Sequence, residues 1–415
     1  MNKQQQYELI FKVSEEFWLP LYIDLCLKAG YEETNFLFLY KNPRLEVYLS
    51  QKDQQKPSLT GFNLYKNKKK TKELIEKGKK TSEKIDIFLK KNDPKKFNDV
   101  SNEEIEKIFK ETCFHYTKLI EVYKYTESFY FKKINKFIEN YIFDNIKNKK
   151  EAINAFSVML NPSVENGIIK KREQILDSLN ASEKIIILCE SIRVIGKEKL
   201  FFRKTVNNLS EFFQLLMENI AERLDLSFKQ IESCLYDEII SLFRGEKRKF
   251  IINQCNKRSE LFAVKKERGK WVFITGLKAK KLISSVELKV TRNILEFKGV
   301  IASVGNAKGK VRIMPFGVGR ENIMKLKKKI SNFKKGDILV AKSAGPEMII
   351  ACRKAGAIVA EEGGISSHAA IISREFNIPC LVNTKIATDI LKDGDLIEVE
   401  ANNNGIVRII NKVNK

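Results

Sequence analysis

The stretch Gly363-Gly364-Ile365-Ser366-Ser367-His368 carries one of only two histidines in the 415-residue chain. It leads into Ala369-Ala370-Ile371-Ile372-Ser373-Arg374-Glu375, which reads as a short helix that must stop before Pro379. A glycine pair frees the backbone to turn sharply or to approach a ligand closely, and Ser366 or Ser367 can cap the helix that follows. The histidine then stands where the free N–H groups of a first helical turn and the helix dipole favour negative charge.

Neutral imidazole is a competent nucleophile near neutral pH and forms covalent intermediates. The chemistry these residues point to is attack by a ring nitrogen of His368 on phosphorus. Gly363, Gly364, Ser366 and Ser367 would hold the phosphoryl oxygens, with Arg374 as possible further support. The sequence leaves open which nitrogen attacks. Upstream, Ala357-Ile358-Val359-Ala360 suits a buried strand feeding the glycine turn. Lys342 and Ser343 follow a second apolar run whose end can face the same pocket.

From about Gly299 to Ile410 the chain resembles the mobile, swivelling phosphohistidine domain of the phosphoenolpyruvate-utilising enzymes. That group includes pyruvate phosphate dikinase, phosphoenolpyruvate synthase, enzyme I of the sugar phosphotransferase system and rifampin phosphotransferase. The resemblance is carried by Gly363 through Ile371, Ser373-Arg374-Glu375, Ile378-Pro379, Gly336 through Ala341, Pro346-Glu347-Met348, and Gly305 through Val311. It implies that His368 is the phosphorylated residue. Ser366 stands where the family often has threonine, and Asn383 where glycine is commoner. A looser similarity spans about Ile220 to Ala263, through Leu235 to Ile240, Arg244-Gly245 and Lys257-Arg258. It resembles the helical segment that commonly precedes this domain in synthase-like and rifampin phosphotransferase-like members.

Composition bounds what surrounds the site. Twelve of the twenty glycines follow Lys298, so the end of the chain reads as turn-rich α/β material and the rest as mostly helix. The expected organisation is α+β and multidomain. Residues 1–219 form a mostly helical region of no recognised family with a β-hairpin near 36–49, residues 220–295 a helical linker, and residues 296–415 the α/β swivelling domain. The formal charge of +24 suits anionic substrates and invites a nucleic-acid reading. Lysine outnumbers arginine about four to one and is spread along helices, a pattern an AT-rich coding sequence produces unaided, so nucleic acid is the least favoured partner. Seven scattered cysteines with no C-x-x-C pair read as buried free thiols, and two histidines offer no zinc constellation. No apolar run approaches bilayer length and the first residues are polar, so the expectation is a cytoplasmic protein without a membrane partner.

Elsewhere the pattern is helical. Leu209, Phe212, Phe213, Leu216, Ile220 and Leu224 follow helical spacing, and Ser101 with Glu104 opens a helix expected to run through Phe131. Residues 52–71 read as a polar surface loop, and residues 91–100 as a break around Pro94. His115 reads as a packed helix residue, and the aromatic cluster from Tyr116 to Phe131 as core rather than base-stacking surface. The first 295 residues hold eight glycines and no glycine-rich phosphate loop, and no strand and helix alternation for a barrel. No cofactor is expected on this chain. Magnesium with ATP or phosphoenolpyruvate is expected on a partner polypeptide, with an anionic small-molecule acceptor of unknown identity. The functional expectation is phosphoryl transfer through His368, with a hinge between residues 284 and 299. The alternative is a non-catalytic binding or scaffold protein that keeps the fold.

Overall fold

The computed structural model describes residues 7–14, 19–30, 34–41, 44–53, 55–160, 166–267, 269–287, 294–315, 320–364 and 367–413. They divide into two compact units. The first takes Met1–Phe137, Pro162–Val164 and Ala181–Ser285, and the second takes Ile138–Asn161, Glu165–Asn180 and Val286–Lys415. Part of the expected first segment, residues 138–161 and 165–180, therefore groups with the C-terminal domain.

The chain begins with β1 (Tyr7–Ser14) and α1 (Leu19–Lys28), followed by the expected hairpin, β2 (Phe36–Lys41) and β3 (Arg44–Ser50). Residues 52–71 are not a loop. They form a single 3-10 turn, α2 (Gln55–Tyr65) and the start of α3 (Lys68–Lys91). Pro57 sits in the first turn of α2, where its missing N–H costs no hydrogen bond, and Ser58, Gly61, Phe62 and Tyr65 are buried on one face. The lysines that suggested a loop lie on the solvent side. Asn67 caps α3 by accepting from the Lys70 N–H at 3.0 Å.

A 3-10 turn at Pro94–Asp99 fills the break before α4 (Asn102–Tyr123), whose cap Ser101 accepts from the Glu104 N–H at 3.2 Å. This helix stops at Tyr123 rather than running through Phe131. Lys124 turns inward instead, its ammonium donating to the carbonyls of Ala29 and Gly30 at 3.1 Å each, just past the C-terminal end of α1. Cations at a helix C-terminus are favoured by the dipole and satisfy its orphan carbonyls. After this turn come α5 (Ser128–Asn145), α6 (Lys149–Leu160), α7 (Asn166–Ser178) and the 41-residue α8 (Glu183–Arg223).

The apolar stripe of α8, including Leu209, Phe212, Phe213, Leu216 and Ile220, packs with residues of α3 and α4 in the main core of the first unit. His115 sits on α4 with its ring 4.7 Å from that of Phe88, and burial holds its pKa below the ordinary value. The aromatic cluster packs internally: Tyr65 stacks on Phe131 at 4.9 Å, and Tyr130 is buried.

Then follow α9 (Phe228–Ile231), α10 (Tyr236–Phe243), α11 (Arg248–Arg258), β4 (Leu261–Glu267), β5 (Lys270–Thr275) and α12 (Gly276–Glu287). The segment expected as a helical linker thus also contains a hairpin. It completes an antiparallel sheet ordered β1-β3-β2-β4-β5, in which Phe38 lies opposite Val264 and Tyr40 opposite Phe262. Alternate residues Phe262 and Val264 share a buried face with Phe36, Phe38, Val47 and Leu49.

The second unit contains β6 (Glu296–Lys298), β7 (Val300–Ser303), β8 (Asn306–Ile313), α13 (Arg320–Ser331), β9 (Ile338–Ala341), α14 (Ile349–Lys354), β10 (Ala357–Ala360), α15 (His368–Glu375), β11 (Cys380–Val382), α16 (Ala387–Ile390), β12 (Leu396–Glu400) and β13 (Ile406–Asn411). Its sheet runs β6-β13-β12-β8-β9-β10-β11-β7. Strands β8 to β11 are parallel, and the two outermost strands, β6 and β7, are consecutive stretches joined at Gly299. The Gly299 N–H donates to the Gly405 carbonyl at 2.8 Å, and a Cβ on Gly405 would run into the Gly299 carbonyl oxygen. The two backbones meet there with no room for a side chain.

Both faces of the central strands are buried. Ile338, Val340, Ala357 and Val359 join one core cluster, while Leu339, Ala341, Ile358 and Ala360 join the other. Parallel strands covered on both faces read as continuous apolar runs, which is why 338–341 and 357–360 stand out in the sequence. Among the described residues, no helix is long and apolar enough to cross a membrane.

Candidate functional site

In open parallel sheets, ligand sites gather beyond the carboxyl ends of the strands. Here the ends of β9, β10 and β11 open into three loops that are tied together. The ladder continues past β10, because the N–H groups of Glu361 and Glu362 donate to the carbonyls of Ala341 and Lys342 at 3.0 and 2.9 Å. On the other side, Thr384 donates to the Ala360 carbonyl through both its N–H (3.2 Å) and its hydroxyl (3.0 Å).

Glu361 is buried, and its Oε1 accepts from the N–H and hydroxyl of Thr388 at 2.7 and 2.6 Å. This carboxylate fixes the start of α16 against the end of β10. Glu362 faces Lys342, with Nζ to Oε1 at 3.8 Å. Lys342 therefore lies at the strand end where it was expected, paired across two loops. No spacing in the sequence announced the Glu361–Thr388 couple, because the partners are 27 positions apart.

Gly363 turns the chain out of β10 with a φ of +105°, a conformation L residues rarely adopt. Its Cα packs so close to the loop's return that an added Cβ would meet Ser367 Cβ at 2.8 Å and Oγ at 2.9 Å. The Ser367 N–H donates to the Gly364 carbonyl at 2.9 Å, closing the turn. Ser367 is the N-cap of α15, its hydroxyl accepting from the Ala370 N–H at 3.4 Å. Ser366 lies outside the described residues.

His368 is the first residue of α15, and it is exposed. The helix behind it is anchored. Ala369, Ala370, Ile372 and Ser373 are buried, the two alanines allowing close approach to the sheet. Arg374 Nη1 donates to the Ala302 carbonyl at 2.8 Å, tying α15 to β7. Burial lowers its pKa from the ordinary value. Cys380, behind the helix, is pushed up to about 12 by burial.

The structure thus brings Gly363, Gly364, Ser367 and His368 into one turn-and-helix unit and holds Lys342 and Glu362 beside it. Chemically, the unit offers an exposed imidazole and a serine hydroxyl at the N-terminus of a helix, a set suited to an anionic ligand. Asn383 adopts a φ of +55° after β11. Asparagine is among the residues that best tolerate this left-handed region, so it serves where glycine is commoner.

Residues 333–404 match the family model described as PEP-utilising enzyme, mobile domain. A probable phosphoenolpyruvate synthase of Archaeoglobus fulgidus is 45% identical over 103 residues, covering 25% of this chain and 12% of that protein. The phosphoenolpyruvate synthase of Pyrococcus furiosus is 34% identical over 139 residues, covering 34% of this chain and 16% of its own. An uncharacterised phosphotransferase of Bacillus subtilis, YvkC, is 32% identical over 203 residues, covering 46% of this chain and 22% of that protein. The chain therefore spans between 12% and 22% of the length of these relatives. Residues 333–404 are thus similar to the mobile domain of the PEP-utilising enzymes, and they lie in an α/β unit that follows a mostly helical N-terminal region.

Proposed function

We propose, from the mobile-domain match of residues 333–404, that this chain transfers phosphoryl groups through a phosphohistidine at His368. The observation that carries the reading is an exposed imidazole at the start of α15, directly after the Gly363 turn and the Ser367 cap. A ring nitrogen attacks phosphorus in line, the donor's P–O bond breaks, and the electron pair leaves with the donor. In the second transfer an acceptor oxygen attacks, and the P–N bond returns its electrons to the imidazole. Positioning and electrostatic clamping dominate such reactions. On this chain the clamp is the first-turn N–H groups, Gly363, Gly364, Ser367 and Ser366, with Arg374 supporting the helix from behind.

The donor site, whether for ATP or phosphoenolpyruvate, is assigned to a partner polypeptide together with its magnesium. Around His368 the nearby carboxylates are committed, Glu361 to Thr388 and Glu362 beside Lys342. Engaged in this way, these two carboxylates are not offered as magnesium ligands, and the metal's ligands are assigned to the partner as well. Movement between donor and acceptor would use the stretch from 284 to 299, of which residues 288–293 lie outside those described.

The test is incubation of the full chain with labelled ATP or phosphoenolpyruvate, alone and with lysate of the source organism. Label that appears only with lysate supports both the carrier role and the separate donor. Label on the isolated chain refutes the separate donor site. Absence of label from either donor, with a partner still co-purifying, would leave a docking fold.

A further inference from the structure

The first unit holds a cluster that the phosphoryl-transfer reading does not use. Cys234 lies in the turn between α9 and α10, and Cys255 lies on α11, 21 positions later. Their Sγ atoms are 3.2 Å apart, and both residues are buried, at 0% and 1% exposure. Glu238 stands beside them, and the ligating atoms of the three residues lie within 4.8 Å of one another.

Two chemistries fit such a group, a metal site and a dithiol. A cationic side chain already lies against two of the three residues. The Arg258 side chain, 4% exposed, donates through Nε to the Ser233 carbonyl at 2.8 Å and through Nη2 to the Glu238 carboxylate, and Nη2 lies 3.5 Å from Cys255 Sγ. Glu238 is further committed to the Leu235 N–H at 2.9 Å. With a fixed guanidinium donating to two of the three candidate ligands, the remaining chemistry belongs to the sulfur pair.

We infer that Cys234 and Cys255 form a redox-active dithiol that closes reversibly to a disulfide when the protein meets a small peroxide. A disulfide needs its sulfurs about 2 Å apart, so they must approach by about 1 Å. Cys234 is on a turn rather than inside a helix, where backbone can supply that movement; its N–H donates to the Ile231 carbonyl at 3.1 Å and its Sγ lies 3.5 Å from the Gln230 carbonyl.

The environment also divides the roles. Arg258 Nη2, 3.5 Å from Cys255 Sγ, sets a positive charge beside that thiol, and the hydrogen bond it shares with Cys234 together with this charge holds the Cys255 thiol below its ordinary pKa. The bond to Cys255 and burial push Cys234 up. Cys255 is the nucleophile and Cys234 the resolving thiol. The Cys255 thiolate attacks one peroxide oxygen, the O–O bond breaks, and the departing hydroxide takes a proton to become water, leaving a sulfenic acid. The Cys234 sulfur then attacks the sulfenic sulfur, the S–O bond breaks, and a second water leaves with the Cys234 proton. Two thiols and one hydrogen peroxide give one disulfide and two waters.

The experiment treats the full chain with hydrogen peroxide, alkylates the remaining thiols and maps peptides without reduction. The expected result is a Cys234–Cys255 cross-linked peptide, with two of the seven cysteines protected from alkylation and both recovered by a dithiol reductant. In Cys234→Ser the reaction should stop at a Cys255 sulfenic acid that dimedone traps. The inference is overturned if both residues remain alkylatable after peroxide, or if either cross-links elsewhere. It is also overturned if zinc added to the reduced chain is retained in native mass spectra and shields both thiols. Mapping the wild-type chain keeps the test decisive should a variant fail to fold.

Discussion

Replacing Gly363 by alanine perturbs the site without touching His368, and its cost can be worked from the turn. At a φ of +105°, an L residue pays about 1–3 kcal/mol of backbone strain. The new Cβ would also lie 2.8 Å from Ser367 Cβ and 2.9 Å from its Oγ. Relieving that crowding costs about 1–3 kcal/mol, or displaces Ser367 and loses its cap on α15, typically about 1 kcal/mol. The terms overlap, so the second unit should lose about 2–4 kcal/mol. Both tryptophans, Trp18 and Trp271, belong to the sequence of the first unit. Urea unfolding followed by tryptophan fluorescence should therefore be unchanged, while the circular dichroism transition of the second unit moves to lower urea. Phosphorylation of His368 should fall with it, because the helix start is displaced. A Gly363→Ala chain as stable as wild type, with undiminished labelling, would refute the claim that this turn sets the site.

Gly405→Ala, with its Cβ driven toward the Gly299 carbonyl at a φ of +63°, should destabilise the second unit by about 2–4 kcal/mol in the same urea assay. Burial alone would raise the pKa of Asp53, but hydrogen bonds from Lys56, Asn35 and Ser50 together hold it at about 2, below its ordinary 3.8. A depressed carboxylate contributes stability above its unfolded pKa and loses it as pH falls through the folded value. Fluorescence-detected unfolding should therefore show about 2 kcal/mol lost between about pH 4 and pH 2, and Asp53→Asn should flatten that dependence. Oxidising Cys234 and Cys255 closes a loop of the length between those positions, for which chain entropy gives about 3 kcal/mol. Calorimetry should show the melting transition of the first unit rising in the oxidised chain, and not in Cys255→Ser.

The glycine turn, the capping serine and the histidine were legible because each depends on short-range geometry that residue type dictates. The apolar runs 338–341 and 357–360 were legible because strands buried on both faces leave no polar alternation to confuse them. What escaped was set by distant partners. Strand β4 looks like a continuation of helical sequence until β2, over two hundred positions earlier, supplies its pairing, and β5 then adds to β4. Helix α2 hides behind its exposed polar residues, and only packing of Gly61 against the Tyr130 carbonyl and burial of Phe62 and Tyr65 reveal its inner face. The end of α4 at Tyr123 depends on Lys124 reaching carbonyls some 95 positions away. Seven scattered cysteines gave no hint that two of them meet, since the turn before α10 and the run of α11 decide it.

The most direct measurement maps the phosphate itself. The full chain, phosphorylated in lysate with labelled phosphoenolpyruvate or ATP, is digested under alkaline conditions and the labelled peptide sequenced by mass spectrometry. The prediction is a single acid-labile, base-stable phosphate on His368, absent from His368→Ala. A label that resists acid, sits on another residue, or survives in His368→Ala would contradict it.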